Sequence, residues 1–307
     1  MIILLNKDAG GGTALKKWNK YYNDKFPCTK IYYLSSRDKN CNLKKILREN
    51  IHKGNFNFTA AGGDGTLNQL LNSLLEVVSD AEIKKLKIGA IGIGSSNDFY
   101  KPVKKELDSP PIKIDFSNAK FRDVGYFTFR QNENYIKKYF LINASIGMTA
   151  KGNFNFNNPA GILKYIKKKS TKWAIIYTAL KTLLHYKNQS VQISSDGVKV
   201  KHVELTNLGI MKNPHFSGDL SYGGNPVYDN GLLRIYLSSN MNIITRLKLF
   251  RALQKHKFHL LKNVSSWDAK EIVIDAVRKF YVEFDGEVIK TDNVKFGVHH
   301  KYIKVCQ

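Results

Sequence analysis

Phe58-Thr59-Ala60-Ala61-Gly62-Gly63-Asp64-Gly65-Thr66-Leu67-Asn68 joins an apolar run to a helix-patterned one through a loop that sets three glycines around one carboxylate. Lacking a Cβ, Gly62, Gly63 and Gly65 leave the backbone free to take positive φ and to approach a ligand closely. The helix that follows presents unpaired N–H groups to an anion. Asp64 would repel phosphate unless a cation lay between them, so a carboxylate here points to Mg²⁺, which takes one or two carboxylates together with phosphate oxygens. The plainer reading is a tight strand-to-helix turn capped by Thr66.

Working outward, the same unit recurs. Ile2 to Leu5 reads as a strand leading into Asn6-Lys7-Asp8-Ala9-Gly10-Gly11-Gly12-Thr13, then a helix over 14–22. Lys30 to Leu34 is a second strand, Asn42 to His52 a second helix, and Asn57 to Ala61 the strand that feeds the opening loop and a helix from Leu67 to Val78. A fourth strand, Lys87 to Ile93, precedes Gly94-Ser95-Ser96-Asn97-Asp98-Phe99, where Asn97 and Asp98 read either as helix caps or as part of a nucleotide or metal site with Asp64. Alternation of this kind implies parallel strands with helical crossovers, and it places all three loops at the carboxyl ends of the strands, where ligands bind in such sheets.

After Pro102, Pro110 and Pro111 the pattern changes to short strands, and the expected division falls near residue 115: an α/β parallel-sheet domain over 1–115, then an antiparallel β-sandwich or barrel-like domain over 116–307 whose last strand could return to the first. The strand patterns are Lys120 to Arg130, Lys138 to Ser145, Val191 to Ser194, Val198 to Leu205, Leu232 to Leu237, Glu271 to Ile274, Phe280 to Phe284 and Tyr302 to Val305. Asp196-Gly197 signals a hairpin. Asp285-Gly286 is another turn, and it brings a second carboxylate, Glu287, that could act as a general base.

Charge limits the partners. Forty-nine Lys and Arg against 25 Asp and Glu give +24, which favours nucleic acid, an anionic membrane surface or polyphosphate substrates. No helix-turn-helix, zinc-finger or aromatic RNA-binding signature accompanies it, so nucleic acid is not expected. Two helical stretches interrupt the strands: Ala160 to Lys187 holds seven lysines and Met241 to Asn263 six Lys or Arg, both without an acid. Trp173, Ile176, Tyr177, Leu180 and Leu184 recur at helical spacing, a stripe expected in the core, with the lysines left to face anionic lipid. Cys28, Cys41 and Cys306 show no metal-ligand spacing, which suggests a reducing cytoplasm. No run approaches the roughly 18 apolar residues of a membrane span, so any membrane contact is expected to be peripheral.

Taken in order, these motifs resemble the diacylglycerol kinase catalytic-domain superfamily, which includes bacterial soluble lipid kinases and sphingosine kinases. Asn6 to Gly12 is similar to its first Asn- and Gly-rich loop, Gly62 to Thr66 to its Gly-Gly-Asp-Gly-Thr signature, and Gly94 to Phe99 to its Gly-Thr-x-Asn-Asp-Phe motif. Asp123-Val124-Gly125 and Phe140 to Gly147 resemble the start of its second domain, Gly231-Leu232-Leu233 a late Asp-Gly-Leu-Leu segment, and Asp285 to Glu287 its catalytic Asp-Gly-Glu.

The resemblance implies a lipid kinase using ATP and Mg²⁺, with the nucleotide between the domains and a lipid substrate, most readily diacylglycerol or a related lipid, met at the inner face of an anionic membrane. Gly62, Gly63, Gly65 and Thr66 would contact phosphates, with Asn6, Ser95 and Asn97 lining the nucleotide site. Asp64, Asp98 and Asp123 would hold Mg²⁺ directly or through water, and Glu287 would deprotonate the lipid hydroxyl, with Asp64 as its catalytic partner. The chain departs from the family where Ser95-Ser96 replaces Thr-Gly, Gly92 replaces Pro, Gln69 replaces Glu and Asn230 replaces an Asp that helps bind a structural cation. An NAD kinase shares the Gly-Gly-Asp-Gly signature, and a non-catalytic nucleotide- or membrane-binding relative is the remaining alternative. A homodimer is left open.

Overall fold

The parallel core of the chain follows from strands that are apolar on both faces. In the computed structural model, which describes residues 1–34, 43–102, 108–262 and 264–307 and leaves aside the side chains of 199–201, two units separate: 1–124 with 300–307, and 125–299. Residues 116–124 thus group with the first unit.

In the first unit, strands β1 (Ile2–Asn6), β2 (Lys30–Leu34), β3 (Asn57–Gly62) and β4 (Lys87–Gly92) alternate with helices α1 (Ala14–Tyr21), α2 (Leu43–His52), α3 (Asp64–Leu75) and α4 (Asp80–Ile83). β1 pairs in parallel with β2 and with β3, and β3 with β4 in the register Ala60↔Ala90 and Gly62↔Gly92. β3 and β4 are buried almost throughout, as strands covered on both faces must be. On one side α1 inserts Ala14 and Trp18, and just past its end Tyr22, against Ile3, Leu5, Ala61 and Ile91. Burying each large apolar side chain contributes about 1.5–3 kcal/mol. A short strand β5 (Ile112–Lys113) adds antiparallel to β4.

The second unit is antiparallel. Its strands are β6 (Lys120–Gln131), which starts in the first unit, β7 (Asn134–Phe140), β8 (Asn143–Gly147), β9 (Gln189–Ser195), β10 (Val198–Met211), the short pair β11 (His215–Phe216) and β12 (Leu220–Ser221), β13 (Leu233–Ser239), β14 (Val264–Ala269), β15 (Glu271–Phe284) and β16 (Glu287–Val305). The last residues of β16 belong to the first unit, where Lys304 and Val305 pair in parallel with Lys87 and Ile88 of β4. Helices α5 (Met148–Asn157), α6 (Ile162–Lys169), α7 (Thr171–His185) and α8 (Ile243–Gln254) interrupt the strands.

The antiparallel pairing closes on itself instead of forming two separate sheets of a sandwich. β8 pairs with β10 and β15, and β9 pairs with the same two strands, giving a ring around Ile146, Ile193, Leu208, Ile274, Phe280 and Val282. Register shifts between Val200 and Val203 and between Asp275 and Phe280 let the two long strands serve both neighbours. Asp196-Gly197 is the expected hairpin, with φ of 48° and 80° and Ser195 paired to Val198.

Three local expectations change. Lys138 to Ser145 is not one strand: β7 ends at Phe140 and β8 begins at Asn143, for a reason that lies in Asp285 and is given below. Ala160 to Lys187 is two helices, because Ser170 ends α6 and caps α7, its hydroxyl accepting from Trp173 N. The stripe on α7 is not core. Trp173 is 64% exposed and Leu184 50%, while the buried face is Ala174, Thr178, Thr182 and Leu183. Among the described residues no helix is long and apolar enough to cross a membrane. Cys28 is exposed and Cys306 buried, its thiol pushed up to about 11 by burial; Cys41 lies outside the described residues.

Candidate phosphate-binding site

Three loops of the first unit meet at the carboxyl ends of β1, β3 and β4. The β3 loop needs its glycines for closeness, not for positive φ: Gly62, Gly63 and Gly65 are absent from the left-handed region, and Gly63 is extended at φ −100°, ψ −172°. A Cβ on Gly62 would stand 2.2 Å from Thr66 Oγ1, and one on Gly94 would stand 2.3 Å from Gly63 Cα. The backbones of the β3 and β4 loops therefore touch, which only glycine permits. Positive φ is found instead in the first loop, at Gly10, Gly11 and Gly12, the last two with open space where a Cβ would be.

Asp64 joins two of these loops. It opens α3, three residues before the expected start, and its carboxylate accepts from Asp98 N at 3.0 Å and Phe99 N at 3.1 Å. Its charge also helps to hold the buried Tyr100 phenol well above its ordinary value, after burial itself. Gly63, and not Thr66, occupies the N-cap of α3, and no side chain caps the helix. Thr66 is turned to Asn6 instead, whose Nδ2 donates to its Oγ1 at 3.0 Å while Asn6 Oδ1 accepts from Asp8 N.

Asn97 is neither a capping side chain nor turned outward. In the left-handed region at φ 53°, it donates to Gly92 O and accepts from Gly94 N, so its amide holds the β4 loop in shape. Ser95 beside it is exposed. Gly92, where the family has Pro, donates its N–H to Pro111 O at 2.8 Å, a bond proline could not make, and a Cβ there would meet Pro111 and Tyr100 at 2.8 Å. Gln69 is exposed on α3.

Sequence reasoning missed Lys17. From α1 its Nζ reaches Gly94 O at 3.2 Å, bringing a cation to the meeting point of the loops; a partner 77 residues away leaves no local signal.

The three carboxylates expected to hold metal do not form one cluster. Asp98 is buried and ion-paired with Lys101 at 2.9 Å. Asp123, 2% exposed, accepts from Lys301 N at 2.9 Å and lies 3.0 Å from His300 Nδ1. Among the described residues no three His, Cys, Asp or Glu side chains come together as a metal-holding group. The uncapped α3 terminus, the open glycines and Lys17 suit phosphate oxygens. For a divalent ion the donor set is thin, and it suits an ion carried by phosphate oxygens and completed by water.

In the second unit, Asp285 and Glu287 sit at a two-residue hairpin with φ of 44° and 94° at Asp285 and Gly286. Asp285 is structural. Its buried carboxylate accepts from the backbone N–H groups of Leu141, Ile142 and Asn143 at 2.8, 3.0 and 3.1 Å, and this breaks the expected strand after Phe140. Beneath it, Glu283 accepts from Ser145 Oγ and Gly286 N. Glu287 is left at the start of β16, its side chain exposed at the turn while nearby protein strips enough water to raise its carboxyl above the ordinary range. At the late Asp229-Asn230-Gly231 segment, Asn230 Oδ1 accepts from Lys212, a buried lysine that also donates to Leu232 O.

Residues 1–120 match the family "Diacylglycerol kinase catalytic domain". A "Probable lipid kinase YegS-like" from Chromohalobacter salexigens is 28% identical over 81 residues, 23% of this chain, and the match spans only 25% of that protein's own length. A candidate diacylglycerol kinase of Bacillus anthracis str. Sterne superposes with a TM-score of 0.70 at 20% identity, covering 99% of this chain and 94% of the other. A diacylglycerol kinase structure from the same organism gives 0.62 at 17% identity, covering 99% and 95%. At these identities the structures show a common fold.

Proposed function

We propose, from the premise that the first 120 residues match the diacylglycerol kinase catalytic domain, that this chain is a lipid kinase: a phosphotransferase moving the γ-phosphate of ATP to a lipid hydroxyl. The observation that carries the reading is the junction of the β3 and β4 loops. Glycines there let two backbones touch, Asp64 locks them with two hydrogen bonds, and an uncapped helix start and Lys17 stand beside them.

In this reading Gly62, Gly63, Gly65 and Thr66 hold phosphate oxygens, with Asn6 fixing Thr66, Asn97 shaping the loop that presents Ser95, and Lys17 adding positive charge. Bound Mg²⁺ would neutralise charge on the transferring phosphoryl group, as in phosphoryl transfer generally. Asp64 and Asp98 would meet it through water, since their oxygens already serve the protein, and Asp123 would steady the chain around His300. Glu287 takes the proton of the lipid hydroxyl, and its raised pKa brings it nearer to the range in which a carboxylate is an effective base. Diacylglycerol or a related lipid is the proposed acceptor, met at an anionic membrane by a peripheral, cytoplasmic protein.

Labelled ATP with Mg²⁺, presented with a panel of lipids in anionic mixed micelles and with NAD as a soluble acceptor, tests the proposal. Label on one lipid supports it; label on NAD moves the chain to an NAD kinase, and ATP binding without transfer to any acceptor moves it to a non-catalytic relative.

A further inference from the structure

Lys212 follows the last residue of β10 and is only 3% exposed, so its ammonium has left water and needs oxygen atoms in its place. It finds them in the segment that leads into β13, where Nζ donates to Asn230 Oδ1 at 2.9 Å and to Leu232 O at 2.8 Å. The Asn230 side chain is fixed for this contact. Its Oδ1 also accepts from Leu232 N at 3.1 Å, and Gly231 between them turns the backbone at φ 70°. An amide oxygen and a backbone carbonyl converging on one buried positive charge are the kind of oxygen donors that a hard divalent cation takes from a loop. Where the family that the chain resembles has an Asp that helps bind a structural cation, this chain has Asn230. The ammonium and the amide match as a pair: a divalent ion beside a carboxylate and an ammonium beside an amide carry the same net charge.

We propose that the Lys212 ammonium takes the place of a structural divalent cation, so that the chain carries this cation as part of its own sequence. The ammonium fills the point where the oxygens converge, and its charge repels a metal ion that would approach the same atoms. What it braces lies close to the Glu287 turn. Lys212 and Asn213 both donate their backbone N–H to Ile142 O, at 2.9 and 2.8 Å, and Ile142 in turn donates to Asp285 Oδ1 at 3.0 Å. The residues gathered by the ammonium and the turn that presents Glu287 are thus held to one short stretch of backbone between β7 and β8. A chelator can strip a bound ion from such a brace; it cannot strip a lysine. The contacts stand without the lipid-kinase reading, and every readout below is independent of phosphate transfer.

The test is thermal unfolding of the full chain without nucleotide, in EDTA and in Ca²⁺, with calorimetric titration of Ca²⁺ beside it. In the wild type Ca²⁺ is expected to give no stabilisation that Asn230→Ala removes. Lys212→Met keeps an apolar stem and loses the charge; it is expected to lower the midpoint by about 5 °C or more, since two hydrogen bonds from a charged donor are lost. Lys212→Ala/Asn230→Asp exchanges the ammonium for space and a carboxylate. It is expected to bind one more Ca²⁺ than the wild type and to gain about 5 °C or more at a roughly hundredfold excess of Ca²⁺ over its Kd. A wild type stabilised by Ca²⁺ through Asn230 overturns the proposal, and because Asn230 is exposed this comparison survives even if the Lys212 variants fail to fold. A Lys212→Met chain that melts with the wild type, or a double variant that binds no more Ca²⁺ than the wild type, overturns it as well.

Discussion

Gly94→Ala puts the junction of the two loops under direct strain. The added methyl would lie 2.3 Å from Gly63 Cα, against the ~3.5–4.0 Å of an ordinary carbon contact, so the loops must part by about 1 Å or more. Backbone on both sides offers no flexible end to swing away. Parting stretches the 3.0 and 3.1 Å bonds from Asp98 N and Phe99 N to the Asp64 carboxylate, each worth about 1.5–3 kcal/mol. Loss of both costs about 3–6 kcal/mol, a large share of a typical domain's stability. Gly63→Ala is the control: its methyl meets Gly94 Cα at 3.3 Å, tight but close to tolerable, and should cost about 1 kcal/mol. Urea unfolding measures both, and calorimetric titration with ATP follows the site. Because the cost of Gly94→Ala runs through Asp64, it should shrink by about 2 kcal/mol or more in an Asp64→Ala background. Full additivity of the two substitutions, or a Gly94→Ala protein as stable as Gly63→Ala, would refute the reasoning.

Other substitutions probe separate parts of the account. Glu287→Gln should leave ATP binding intact and lower turnover by about 10²–10⁴-fold; a base works ionised, so the wild-type rate should rise with pH through a limb above the ordinary carboxylate range, and the variant should lack that limb. Asp285→Ala orphans three backbone N–H groups and should cost about 3 kcal/mol or more in urea unfolding, a loss of fold and not of chemistry alone. Lys113 is held down to about 8 by burial and then by Arg122, so the folded state binds fewer protons than the unfolded one between pH about 8 and 10.5, and stability rises with pH across that window. Below it the penalty is fully present. Lys113→Met should therefore add about 1–2 kcal/mol at pH 7, after allowance for its partial exposure, and flatten the rise.

What could be read from residues alone was local. The strand–loop–helix units around Asn6, Gly62 and Gly94 carry their own punctuation, and Asp196-Gly197 and Asp285-Gly286 announce hairpins because few residue pairs tolerate two positive φ values. Long-range partners were not legible. Nothing near Asp285 in the chain says that its carboxylate is filled by N–H groups more than 140 residues away, so the break between β7 and β8 could not be foreseen. The glycines of the β3 loop were found for the wrong physical reason, since close approach to Gly94 and positive φ look alike in a sequence. Periodicity on α7 gave the stripe but not its surroundings: Trp173 and Leu184 share a face whether or not anything covers it. Met148–Asn157, rich in Asn and Phe, lacks helical periodicity, and α5 went unexpected.

The most direct test of the central claim is transfer of label from γ-labelled ATP to lipid in anionic mixed micelles by the wild type, Asp64→Ala and Glu287→Gln side by side. The account predicts a labelled lipid with the wild type, none above background with Asp64→Ala, and transfer about 10²–10⁴-fold slower with Glu287→Gln, which still binds ATP. Label transferred at the wild-type rate by Asp64→Ala, or by Glu287→Gln, would contradict it.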